Sequence, residues 1–119
     1  MTVSGCWVLA LALLVIPAFT FAQSGSAESV GWSLQGCRDF LAAGPGAQFK
    51  QGYCGGIVSA LMAGGSDLPA GYRFCVGEQV TVQQAIRVVV LYLERRPLLK
   101  REPFQPLARE ALREAWPYR

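Results

Sequence analysis

The first charged side chain of the chain is Glu28, and this asymmetry divides the sequence into two unlike parts. Residues 6–22 carry no charge and are almost wholly apolar. The apolar run from 8 to 21, broken by Pro17, has the length of the h-region of a secretory signal peptide. Thr20 and Ala22 stand where a signal peptidase reads its substrate, just before Gln23. A membrane span needs about 20 apolar residues, more than this run offers. Residues 1–22 are therefore expected to be a leader removed on export, with no stable span left behind. Cys6 precedes the apolar run, so it is not placed like a lipoprotein cysteine and is discarded with the leader.

The chain beyond the leader is long enough for one small domain. Eleven Lys and Arg against eight Asp and Glu give a formal charge of +3, and there is no His. That absence excludes Ser-His-Asp and Cys-His catalysis, His-ligated zinc and a histidine pH switch. It also removes the usual general base near neutral pH. The eight carboxylates are scattered, with no pair placed as general acid and base, and no cofactor-binding pattern is present.

The pattern after the leader is helical. Residues 23–31, QSGSAESVG, form a small-residue tether. Ser33 is the expected cap of a first helix running to about Ala43, with Leu34, Cys37, Phe40 and Leu41 inward and Gly44-Pro45-Gly46 as its stop. A second helix is expected over 47–62, with Phe49, Tyr53, Ile57, Ala60 and Leu61 in helical register. Gly52, Gly55 and Gly56 each cost this helix about 1 kcal/mol relative to Ala, which points to a face where another backbone approaches closely. Residues 63–80 read as a long loop, and Phe74 is expected to fold back over the core. Thr81 and Gln84 form a capping box for the clearest helix, whose core face is Val82, Ala85, Ile86, Val89, Val90 and Leu93. Val88 and Leu91 widen that face beyond one layer of packing. After a Pro-punctuated segment, a last helix is expected over 106–116 with Leu107, Ala108, Ala111, Leu112, Ala115 and Trp116 on its apolar side. The expected fold is all-α, a bundle of about four short helices stapled by a disulfide.

Export leaves Cys37, Cys54 and Cys75, which allow one bridge and one free thiol. Cys54 lies in a helix and Cys75 just before the next, which suits a staple across the loop. Cys54–Cys75 is thus the favoured pair, with bridges through Cys37 as alternatives. The long loop carries Asp67, Tyr72 and Arg73, a combination suited to a protein-binding surface. Arg95, Arg96, Lys100 and Arg101 form a basic patch that could meet an acidic partner or anionic lipid headgroups. The patch lacks interleaved aromatics and a nucleic-acid motif, so nucleic acid is not an expected partner.

These residues resemble a known family. Tyr53-Cys54-Gly55-Gly56-Ile57, Phe74-Cys75-Val76, the Thr81–Gln84 cap, Val89-Val90 with Tyr92-Leu93 before Pro97, and Ala111-Leu112 followed by Trp116-Pro117 look like the Rap/Tai periplasmic immunity proteins. The resemblance runs from about Cys37 to Pro117, and residues 32–117 are expected to form one helical domain of this kind. It implies a small helical secreted protein, often a homodimer, that binds and inhibits a peptidoglycan amidase delivered by type VI secretion. It names no inhibitory residue. Members commonly close with proline then cysteine, whereas here Pro117 precedes Tyr118. The resemblance implies that this removes the partner of Cys37.

The expectation is a non-catalytic inhibitor contacting its partner through Asp67, Tyr72 and Arg73, with Arg95 and Arg96 secondary. The alternative is a periplasmic helical module for envelope maintenance or chaperone-like binding. If the leader is read correctly, the protein recovered from periplasm begins at Gln23 by N-terminal sequencing. A full-length chain retained in membranes would refute the leader.

Overall fold

The computed structural model describes residues 28–46 and 48–119; the leader and residues 23–27 of the tether lie outside it. Among the described residues there are four α-helices: α1 (Val30–Ala43), α2 (Phe49–Gly64), α3 (Val82–Glu94) and α4 (Phe104–Ala115). Short 3-10 turns at Gly65–Asp67 and Pro97–Leu99 extend α2 and follow α3. The fold is all-α, and no described helix is long and apolar enough to cross a membrane. α3 touches each of the other three helices, and its Ile86, Val89 and Leu93 sit in a core shared with Val30, Val58, Phe74, Phe104 and Leu112.

The α1–α2 contact is the tightest in the fold. Cys37 and Cys54 are both fully buried and bonded, with their Cα atoms 5.3 Å apart. The bond closes a 17-residue separation, which stabilises the fold by about 3 kcal/mol through loop closure. The expected Cys54–Cys75 bridge is thereby corrected, and so is the inference that Cys37 lacks a partner. The cause is strand-like alternation: Phe74 takes the buried position, which turns Cys75 outward as an exposed free thiol. Cys75 instead lines a cleft with Trp116, Pro117 and Tyr118 of the C-terminal tail.

Two glycines permit this contact. A side-chain carbon on Gly36 would run into the Lys50 backbone carbonyl, and one on Gly55 would stand 2.7 Å from the Phe40 ring. Gly52 and Gly56, expected as a packing face, have nothing within 4 Å at that position. Gln51, nearly fully buried, donates from Nε2 to the carbonyls of Asp39, in the last turns of α1, and of Gly44, just past its end, which ties α2 to the α1 C-terminus. Gly44 ends α1 as expected, at φ 81°, with its N–H on the Phe40 carbonyl.

The α1 start differs from expectation. Ser29, not Ser33, is the cap, accepting from the Trp32 N–H at 3.3 Å. Ser33 lies inside the helix, buried, its hydroxyl without a partner. The next two N–H groups, of Val30 and Gly31, donate to the carbonyls of Glu102 and Lys100, and Phe104 N–H returns to Glu28. Residues 28–31 are therefore zipped to the segment entering α4 and belong to the fold rather than to a tether. The same zipper starts α4 at Phe104, two residues before the expected start, with Phe104 fully buried and Pro106 in the first turn where no intrahelical donor is needed. At the far end of α4, Ala115 is exposed and Trp116 only half-buried, so neither belongs to the deep core.

The capping box of α3 forms as the sequence indicates. Thr81 Oγ1 accepts from Gln84 N–H at 3.1 Å, and Gln84 Oε1 accepts from Thr81 N–H at 2.8 Å. Val88 is half-buried and Leu91 is 47% exposed, so the outer part of the apolar face is left uncovered.

The glycines separate into two classes that substitution distinguishes. Gly36→Ala and Gly55→Ala should each destabilise by about 1–3 kcal/mol through overpacking. Gly52→Ala and Gly56→Ala should each stabilise by about 0.5–1 kcal/mol through helix propensity. Urea denaturation with the bridge intact measures both, and the same sign for all four would contradict the packing described.

Candidate partner-binding surface

The segment from 65 to 75 is a pinned turn rather than a loose loop. Gly65 lies under the Phe74 ring, 2.5 Å from where a side-chain carbon would stand, and its carbonyl accepts the Phe74 N–H. Tyr72 N–H donates to the Pro69 carbonyl at 3.0 Å, and Gly71 sits at φ 93°, the left-handed value a type II turn needs at its third position. Beyond the turn, Phe74 pairs antiparallel with Pro117, and Cys75 N–H donates to the Trp116 carbonyl. Buried Phe74, as expected from the sequence, is the anchor at the far end.

This pinning sets the side chains of the turn against α4 and the C-terminal tail. Tyr72, 48% exposed, stacks with Arg109, whose guanidinium carbon is 4.7 Å from the ring centroid. Arg109 Nε is buried there without a hydrogen-bond partner. Arg73 donates from Nε to the Leu68 carbonyl at 2.7 Å and lies 5.4 Å from the Tyr118 ring centroid. Arg113 donates from Nε and Nη2 to Glu110 Oε2, at 3.2 and 2.7 Å. That bond and the Glu110 charge raise the Arg113 pKa above its ordinary value. Asp67 ends the 3-10 turn, exposed, with no ion pair among the described residues.

The basic patch read from the sequence is not one surface. Arg96 is committed inward: it stacks 3.6 Å from the Tyr92 centroid, donates to the Tyr92 carbonyl, and lies 3.7 Å from Glu114. Arg95 is exposed beside a shallow apolar cleft of Val88, Leu91, Ala111 and Ala115. Lys100 and Arg101 follow the second 3-10 turn and remain exposed.

Arg109 and Arg113 were not among the expected contact residues, yet they complete the surface around Tyr72 and Arg73. The available signal was their i,i+4 spacing on the outer face of the last helix, which places two guanidiniums one above the other. No group of three or more His, Cys, Asp or Glu able to hold a metal ion occurs among the described residues.

The arrangement fixes guanidiniums and phenols in place, and the chain has no His to activate the exposed Cys75 thiol beside Tyr118. Fold and surface together define a disulfide-bolted helical scaffold that presents a rigid basic-aromatic turn, the build of a protein-binding module. The chain belongs to the Rap1a immunity protein family, whose model matches residues 31–118. Neither the curated proteins nor the solved structures hold a significant match to it.

Proposed function

We propose that the protein is a periplasmic immunity protein that binds a secreted peptidoglycan amidase, of the kind delivered by type VI secretion, and inhibits it stoichiometrically. Membership of the immunity family supports the inhibitory role. The uncharged apolar leader supports the periplasm, the compartment in which an amidase reaches its substrate. The single observation that carries the choice of surface is the stacking of Tyr72 on Arg109 beside Arg73 on Tyr118. Stacked side chains are already ordered, so binding loses less conformational entropy there than at a mobile loop.

Inhibition of this kind needs a rigid projection that enters or covers a cleft, and no chemistry of its own. Asp67, Tyr72 and Arg73 are the contact residues in this reading, with Arg109 holding Tyr72 in place. Arg95 can make a secondary contact, whereas Arg96 is held by Tyr92 and Glu114.

Titration calorimetry against the amidase retained by the mature protein from secreted fractions tests the assignment. Tyr72→Ala should weaken binding by more than about 1 kcal/mol, with the helical circular dichroism unchanged. Wild-type binding by both Tyr72→Ala and Asp67→Ala would show that this surface is the wrong one. Retention of no hydrolase, together with suppressed aggregation of unrelated unfolded chains, would favour the chaperone-like alternative.

A further inference from the structure

Between the turn and the end of α4 lies a cleft of about 260 Å³, lined by Ala70, Gly71, Arg73, Arg113 and Tyr118. We propose that this cleft is a carboxylate-binding subsite that takes one Asp or Glu side chain of a protein partner. That the partner is the amidase rests on the proposed function; the chemistry of the cleft does not.

The cleft is charged and pre-ordered. Arg73 spends only Nε, on the Leu68 carbonyl, which leaves both terminal nitrogens to donate. Arg113 spends Nε and Nη2 on Glu110, which leaves Nη1. Tyr118, half-exposed, borders the same space and is located by its neighbour Pro117, which pairs with Phe74. A surface ion pair made by free side chains gains little, because two mobile chains must be ordered. Here the turn, the Leu68 bond and the Tyr118 stack already hold Arg73, and Glu110 holds Arg113.

Charge selects the ligand. Glu110 neutralises Arg113, while Arg73 has no acidic partner among the described residues. The cleft therefore offers one uncompensated positive charge, which matches a monoanionic carboxylate better than a dianionic phosphate. Arg109, which would supply a second, is turned to Tyr72 and does not line the cleft. The volume accommodates a carboxylate and the methylene stem behind it, each comparable with one water at about 30 Å³.

The test is an NMR titration of the mature, oxidised protein at constant ionic strength, following the arginine Nε–Hε and Tyr118 ring signals. The probes are acetyl-glutamate amide, acetyl-glutamine amide and inorganic phosphate. The glutamate probe should shift the Arg73, Arg113 and Tyr118 signals saturably, and the glutamine probe should not. Arg73→Gln should weaken the glutamate probe about tenfold, as expected for losing a charge-assisted hydrogen bond. Glu110→Gln keeps an acceptor oxygen to hold Arg113 but removes the negative charge that neutralises it, and should tighten the glutamate probe several-fold, a gain that misfolding cannot imitate. Equal shifts from the glutamate and glutamine probes, or no tightening in Glu110→Gln, would overturn the subsite. Phosphate binding as tightly as the glutamate probe would overturn its assignment to carboxylates. A saturable glutamate response with no amidase retained would leave the subsite standing and remove the effector as its partner.

Discussion

The Cys37–Cys54 bond joins α1 and α2 at the point where both helices are stripped of bulk. Gly36 lets the α1 backbone reach the Lys50 carbonyl, and Gly55 receives the Phe40 ring. Three constraints of different kinds therefore coincide: a covalent bond, a backbone approach only glycine allows, and an aromatic ring fitted over a missing side chain. Gln51 adds a polar closure by bonding the carbonyls of Asp39 and Gly44 on either side of the α1 end. A domain this small has a limited core, and concentrating constraints on one helix pair gives α3 and α4 a fixed surface to pack upon.

That pair also determines where the turn stands. α2 runs into the 3-10 turn at Gly65, whose bare face accepts Phe74, and Phe74 in turn pairs with Pro117. The chain is thus tied from the α2 C-terminus through the turn to the tail after α4. Tyr72 and Arg73 lie between those ties, and Arg109 and Tyr118 stack on them from the other side. The exposed turn is held by packing and backbone pairing, while the cysteine expected to anchor it remains a free thiol.

How much of this was legible in the sequence depended on the range of the interaction. The Thr81–Gln84 box and the Gly44 stop are local: donor and acceptor lie within four residues, so pattern reveals them. The four helices and the all-α class followed from the same short-range signals. Ser29 and Phe104 were missed because their positions depend on each other, through bonds between 28–31 and 100–104 that no window along the chain contains. The bridge was misassigned for a related reason. Spacing across a loop favoured Cys75, but the choice is made by which residue of the Phe74–Cys75 pair turns inward, and the larger apolar side chain takes the core. At the candidate surface, Asp67, Tyr72 and Arg73 were readable as loop residues of suitable chemistry. Arg109 and Arg113 read as an ordinary solvated helix face, since only the folded turn brings Tyr72 and Arg73 against them. The basic run at the end of α3 failed in the opposite sense: neighbours in sequence, Arg95 and Arg96 diverge once Tyr92 and Glu114 capture the second.

The central claim is that a helix pair bolted by Cys37–Cys54 supports a turn that meets the partner. Hydrogen–deuterium exchange of the protein, free and bound to the secreted effector proposed as its partner, tests it most directly. In the free protein, amides around Cys37 and Cys54 should exchange slowest; on binding, added protection should fall on residues 67–75 and 109–118. Fast exchange in α1 and α2, or binding protection confined to the open α2 face at Gly52 and Gly56 with the turn unchanged, would contradict it.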